Sequence, residues 1–494
     1  MNRTAYLQPH AARRSPLTPL LIVVGFVLLA PLFGLVAVSS DPVAVGLATA
    51  AIVGAALLAR PGWLLWLIFL LGLFVAGVVP IWAEGSATKV VWAVALLGFG
   101  VMALAVLRPL TVPGSTRGTP AFVWVGLVFV VYTVLNGLAH FDSAYQFLGG
   151  FKRYFQAAGL LFALAWLPID EPTIKRWRKL FLVVALFQLP WAAYELLRLV
   201  PIRTAMRAAY PGMVPIDVVA GTFGANMTSG GANGEMAAFL IIMLVFLLAH
   251  LRDAGLPKRQ LLWLAPVVVT PLFMGETKAV VVMLPLAFFG LYRREMLRRP
   301  HVAMAGLLVG ALLTAAAGYA YLSVTGKSLD ELTEATLAHN VYEGGHAGYA
   351  LNRTTVLTFW ADEQGLHDPA GAVLGHGLGS AHMETGGSMA RRYPAHGIGL
   401  TAASTLLWEQ GVLGAGLFLA MLAMAWSAAG RLRRSANASW IRADAAAIQA
   451  VLPVFAFYLI YRSALTQNLP FQIVFYSLLG YLAWLLRRKV GESG

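Results

Sequence analysis

The chain has 494 residues, 59% of them hydrophobic and only 12% charged, with a formal charge of +14 and no cysteine. Soluble domains hold about a quarter charged residues, so this composition excludes a water-soluble globular fold, and the lack of cysteine excludes disulfides and thiolate metal sites. The positive charge does not mark a nucleic-acid binder, because the basic residues stand in short clusters between apolar runs, as helix flanks do.

A bilayer core of ~30 Å is crossed by about 20 apolar residues in a helix, and runs of that kind recur along the whole chain. The first, Leu17 to Val38, follows Arg3, Arg13 and Arg14. It is longer than a signal-peptide core and has no small-x-small cleavage site before a polar start, so it reads as an uncleaved span. Further helices are predicted near 42–59, 63–80, 89–107, 120–139, 147–168, 179–197 and 233–250. Six more follow near 261–276, 279–292, 301–321, 399–428, 445–465 and 471–486. The expected fold is an all-α polytopic membrane protein of about 14 transmembrane helices. It divides into an N-terminal bundle (1–321, with an outer loop at 198–232), a long outer loop (322–398) and C-terminal helices (399–494).

Cytoplasmic loops are enriched in Lys and Arg. With both termini inside, the cytoplasmic segments collect the three N-terminal arginines, Arg60, Arg108, Arg117, the run from Lys175 to Lys179, Arg252, Lys258 and Arg259. They also collect Arg293, Arg294, Arg298, Arg299, the run from Arg431 to Arg434, Arg442, Arg487, Arg488 and Lys489, which makes 24 of the 36 basic residues. The stretch 261–292 tests this orientation. As one helix it would reach about 48 Å, and the basic clusters on both its sides belong in one compartment. A hairpin of two short helices satisfies both facts, turning at Gly275-Glu276-Thr277-Lys278 slightly inside the outer leaflet, where irregular backbone needs a protein-lined cavity.

The long loop carries eight acidic against four basic residues, and six of the ten histidines. Its amphipathic piece RTTVLTFWAD, starting at Arg353, argues for partial order. Near its end His396 stands just before an apolar helix, where an imidazole suits proton transfer near neutral pH; the plainer reading is a histidine resting at the membrane interface. Glu409, thirteen residues on, is an intramembrane carboxylate, either functional or the structural partner of a neighbouring helix. Five cations break the charge bias on the outer side: Lys278 in the hairpin turn, Lys152 and Arg153 at the start of a span, Arg353, and Arg462 at a helix end. Together they fit an anion site of diphosphate type; singly, each fits a pairing such as Lys278 with Glu276, or a lipid headgroup. The glycines of LGHGLGSAH (Leu374 to His382) do not follow a strand, so they make a poor nucleotide loop. His376 and His382 lack the carboxylate or thiolate company of a metal site. GTFGANMTSGGANG (Gly221 to Gly234) lacks a P-loop ending and reads as a flexible loop or a close backbone approach to a ligand.

Four passages within about 140–425 together resemble the O-antigen ligase and Wzy-type polymerase superfamily. They are Gly221 to Leu240, the two-helix unit around ETKAVVVMLPLAFF, RTTVLTFWAD with PAGAVLGHGLGS, and AHGIGLTAASTLLWEQGVLGAGLF. The last is the most specific, with its histidine, Leu-rich helix and Glu-x-Gly-x-x-Gly order. The resemblance implies a GT-C-like glycosyltransferase of the bacterial inner membrane, working on the periplasmic side without metal, nucleotide or other cofactor. Its donor would be a glycan on undecaprenyl diphosphate, and its acceptor another glycan for a polymerase, or lipid A core or a protein for a ligase. His396 would activate the acceptor hydroxyl, while Arg353 and Lys278 would hold the diphosphate; Lys278 stands where relatives have arginine. The acidic loop repels a phosphorylated lipid A core, which favours a polymerase over a ligase. A flippase or other transporter is the rival, although such chains show two related halves and no internal repeat is visible here.

Overall fold

Every regular element among the described residues of the computed structural model is a helix. The described residues are 60–82, 84–210, 213–301, 328, 330, 333, 334, 337, 351–365 and 367–492. The spans predicted near 17–38 and 42–59, that near 301–321 beyond its first residue, and most of 322–350 lie outside them.

In chain order the helices are α1 (Pro61–Leu70), α2 (Glu84–Thr111), α3 (Ala121–Ala139), α4 (Ala144–Phe155), α5 (Gly159–Trp166), α6 (Glu171–Tyr194), α7 (Val200–Met206), α8 (Asn233–Asp253), α9 (Lys258–Met274) and α10 (Val280–Arg298). Then come α11 (Thr355–Gln364), α12 (Pro369–Leu374), α13 (Ser388–Arg392), α14 (Ala402–Ser435), α15 (Ser439–Tyr461), α16 (Ala464–Gln467) and α17 (Leu469–Glu492). Among the described residues eight helical stretches are long and apolar enough to cross a membrane: 61–81, 88–111, 121–139, 171–206, 233–253, 402–435, 439–461 and 469–488. The chain is an α-helical membrane protein.

Among the described residues eight of the expected spans recur as these stretches, though not always in the expected form. The segment predicted as 147–168 breaks into α4 and α5 at Gln156–Ala158. The cause is a close crossing with α2: a Cβ added to Gly98 would strike the Gln156 carbonyl, and one added to Gly159 would strike the Gly98 carbonyl. Small residues at such crossings let two backbones approach and gain packing contacts. The span predicted as 179–197 extends from α6 through a π-helical turn (Glu195–Leu199) into α7, so the outer loop begins near 207. The predicted hairpin is present as α9 and α10. Its turn holds Glu276 at φ 44, a left-handed residue with a side chain, and the two halves are too short or too charged to be counted among the eight.

The sequence's basic clusters gather at one end of the bundle. The starts of α6 and α15 and the ends of α8, α14 and α17 lie there. One knot pins that end. Buried Asp444 accepts from Tyr481 (2.5 Å) and pairs with Arg178 (3.1 Å) and His250 (2.7 Å), joining α15, α17, α6 and α8. α8, α15 and α17 are buried along most of their length. α3, by contrast, exposes Val128, Val131, Leu135 and Leu138, a helical stripe whose spacing fits lipid contact.

Candidate functional site

At the opposite end, the start of α8, the end of α15 and the α9–α10 turn meet. Asn233 opens α8 and donates to the Gly275 carbonyl (3.2 Å) and to Asp217 (3.4 Å). Glu235, in the first turn of α8, is favoured there by the helix dipole and pairs with Arg462 at 3.1 Å. Arg462 also donates to the Gly231 carbonyl, and its own carbonyl accepts the Ala402 N–H that starts α14 (3.1 Å). Arg353 stands in the turn before α11, which Asn352 caps by accepting the N–H groups of Thr354 and Thr355. Its Nε donates to the Tyr461 carbonyl (2.7 Å) and its guanidinium lies over the Tyr461 ring (4.6 Å to the centroid). Charge interactions tie Lys278, Arg203 and Arg462 to Asp217, whose pKa is raised by burial against their opposing pull. Three of the five predicted cations, Lys278, Arg353 and Arg462, are therefore gathered around Asp217 and Glu235.

Lys152 and Arg153 fall in a second cluster. Arg153 pairs with Glu384 on the loop, and Lys152 lies over the Trp92 ring (5.6 Å). The centre of this cluster is Glu409, fully buried. It does not sit on a continuous helix. Gly411 takes φ 62 and ψ −172 inside α14, a left-handed conformation open to glycine and poorly open to other residues. Beside the break the carbonyls of Trp408, Glu409 and Gln410 all take donors from outside the helix. The loop Leu374–Gly379 supplies two: His376 N–H to Trp408 (2.9 Å) and Gly377 N–H to Glu409 (3.0 Å). Asn136 adds a donor to Glu409 (2.8 Å), and the Tyr132 hydroxyl one to Gln410 (3.0 Å).

The loop fits because Gly375, Gly377 and Gly379 all have φ between 75 and 83. A Cβ on Gly375 would meet the Glu409 carbonyl, and one on Gly379 the Gln146 carbonyl. The three alternating glycines thus serve a backbone-to-backbone dock between α4 and the broken helix. The carboxylate of Glu409 completes it by accepting the Ala381 N–H (3.1 Å). His382 follows at once, its Nε2 3.9 Å from Glu409 and both ring nitrogens 3.3 Å from the Gln467 amide. Burial, and then Arg153, hold its pKa well below the ordinary imidazole value, so the ring is neutral. His376 turns elsewhere, to Gln364 (2.8 Å). The two histidines of LGHGLGSAH thus face different partners.

His396 is half-buried in a loop six residues before α14. Its ring stacks on Phe359 at 4.8 Å and 11°, with Tyr393 edge-on at 6.0 Å. Its Nδ1 is buried without a hydrogen-bond partner among the described residues. Phe359 lies six residues beyond Arg353, about 9 Å along the element, so α11 links the histidine to the first cluster.

Neither protein-family models nor curated proteins give a match to this chain.

The glycine-rich loop 221–234 is not loose. Buried Arg203 donates to the Asn226 and Ser229 carbonyls (3.0 Å each), and buried Glu195 accepts the N–H groups of Ala220 and Gly221 (2.9 and 2.7 Å). Its close backbone approaches are to protein: Gly77 to Thr222, and Gly231 to Asp217. Sequence reasoning did not single out Asp217, Asn233, Glu235 or the pairing of His382 with Glu409. The one available signal was an acidic residue in an apolar helix, as at Glu235.

Proposed function

We propose that the chain is a membrane glycosyltransferase of GT-C type with about 14 spans, which moves a glycan from a polyprenyl diphosphate to a hydroxyl of a second glycan at the outer face of the inner membrane. The observation that carries the reading is the convergence of Lys278, Arg353 and Arg462 at the end of the bundle away from the basic loops, with His396 linked to them through α11. In this reading the acceptor hydroxyl loses its proton to His396 as its oxygen attacks the anomeric carbon. The bond to the diphosphate oxygen breaks from the opposite side, and the leaving charge develops against Arg353 and Lys278. Asp217 and Glu235 hold these cations in place before the donor arrives. Arg462, bound to Glu235, to the Gly231 carbonyl and to the Ala402 N–H, holds the frame of the site.

The test is transfer by the full-length protein in vesicles containing a polyprenyl-diphosphate-linked glycan, wild type against His396→Ala. The expected result is a loss of about 10²–10⁴-fold in rate, with donor accumulating and the protein inserting and melting as wild type. Unchanged transfer overturns the role of His396. A product on lipid A core in place of a longer glycan would make the enzyme a ligase.

A further inference from the structure

The bundle's basic end holds a group of arginines that the Asp444 knot does not use. We propose that Arg252, Arg293, Arg294 and Arg433 form a binding site for the headgroup of an anionic phospholipid in the leaflet at that end. The four come from the ends of three helices, α8, α10 and α14. A cation at a helix C-terminus complements that helix's own dipole, which accounts for one arginine at each end but not for their gathering. Arg252 and Arg294 are the charges that bear most on Arg433, and both repel it; only Asp253 and Glu295 oppose them. Arg252 is committed, with Asp253 at 2.7 Å and the Leu291 carbonyl at 2.7 Å. Arg433 is not: its Nη1 is buried and has no hydrogen-bond partner among the described residues. A buried donor on a guanidinium is costly to leave unpaired, and a phosphodiester offers the acceptors and the charge it lacks.

A lipid, and not free phosphate, fits what adjoins the arginines. The Arg293 guanidinium lies over the Trp426 ring at 5.0 Å, which joins α10 to α14 beside α15. Trp426 and Leu419 stand seven and fourteen residues before Arg433 on one face of α14, and Phe289 one turn before Arg293. All three are exposed, so an apolar track runs from the arginines toward the membrane core, and Trp426 sits where indoles favour the interface.

The test is native mass spectrometry of the full chain released from mixed micelles of phosphatidylglycerol and phosphatidylcholine. A basic side chain that meets the anionic headgroup is worth roughly a fivefold preference, so Arg294→Gln with Arg433→Gln should lower the retained phosphatidylglycerol about 25-fold. Arg299→Gln with Arg442→Gln, exposed charges at the same end, should leave it within about twofold. Equal retention of the two lipids by wild type overturns the proposal. So does an equal fall in the control pair, which would mean diffuse attraction, and so does complete displacement of the lipid by inorganic phosphate. If the double variant does not elute as a single species, Arg294→Gln alone, whose side chain is exposed, must still lower retention about fivefold or the site is not there.

Discussion

Two buried carboxylates at opposite ends of the molecule have opposite surroundings. Asp444, at the basic end, spends both oxygens on side-chain donors from three other helices: Arg178, His250 and Tyr481. Glu409, near the other end, gives one oxygen to a loop backbone N–H. Its Oε2 is buried and has no hydrogen-bond partner among the described residues. The first carboxylate fastens helices to one another. The second fastens a loop to a broken helix and keeps acceptor capacity in reserve. The contrast assigns rigidity to the basic end and adjustable geometry to the end that carries His396, Arg353 and Lys278.

The sharpest way to break the comparison is at Asp444. Asp444→Ala leaves Arg178 partly buried without its counter-charge and Tyr481 without its acceptor. Removal of one partner from a buried ion pair costs about 3–5 kcal/mol. The expected outcome is a large fall in melting temperature of the detergent-purified chain, with little of the variant in membranes. If Asp444→Ala melts within a degree or two of wild type, the basic end is not the rigid one.

Gly411→Ala acts on the dock and is expected to cost less. The methyl group would force a residue with a side chain into a left-handed conformation, at about 1–3 kcal/mol, and would meet the Val373 carbonyl. Because the helices on either side of the break are intact, the damage should stay local. Hydrogen exchange should rise at Gly375–Ala381 and at Trp408–Gln410 while α15 and α17 keep their protection. Exchange that rises evenly over the bundle would mean that the dock is part of the main core.

Much of the arrangement was legible because apolar run length and charged flanks are one-dimensional signals. The α9–α10 hairpin follows from basic clusters on both sides of an apolar stretch too long for one helix, and α11 from the amphipathic run after Arg353. The break at Gly411 was not legible. Gly411 lies, just after Glu409 and Gln410, in an apolar run long enough for one continuous helix, and the donors that meet the break come from a loop more than thirty residues earlier. The five cations were visible as exceptions to the charge bias, but that bias reports only which side of the membrane a residue lies on. It does not report which neighbours the residue meets, so Lys152 and Arg153 could not be separated from Lys278, Arg353 and Arg462. His382 stayed hidden for a similar reason: its partner Glu409 lies across the loop dock, and the spacing of the two histidines pointed to no such pairing.

The smallest expected effect comes from that histidine. His382 is neutral in the folded protein because burial, followed by Arg153, depresses its pKa, whereas in the unfolded chain it takes up a proton near pH 6.5. A folded pKa below the unfolded one means that the unfolded state binds more protons in the window between them. Its contribution is therefore complete above about pH 6.5 and lost as the pH falls below it, with a slope no steeper than about 1.4 kcal/mol per pH unit for one proton. Asp217 works the other way: burial raises its folded pKa, so protonation on acidification favours the folded state from that raised value down to about 3.8. Melting curves of the purified chain between pH 8 and 5 should show stability declining below about 6.5, and His382→Gln, which keeps an amide against Gln467, should flatten or reverse that decline. A decline that survives His382→Gln unchanged would place the acid-sensitive group elsewhere and leave the loop dock insensitive to pH.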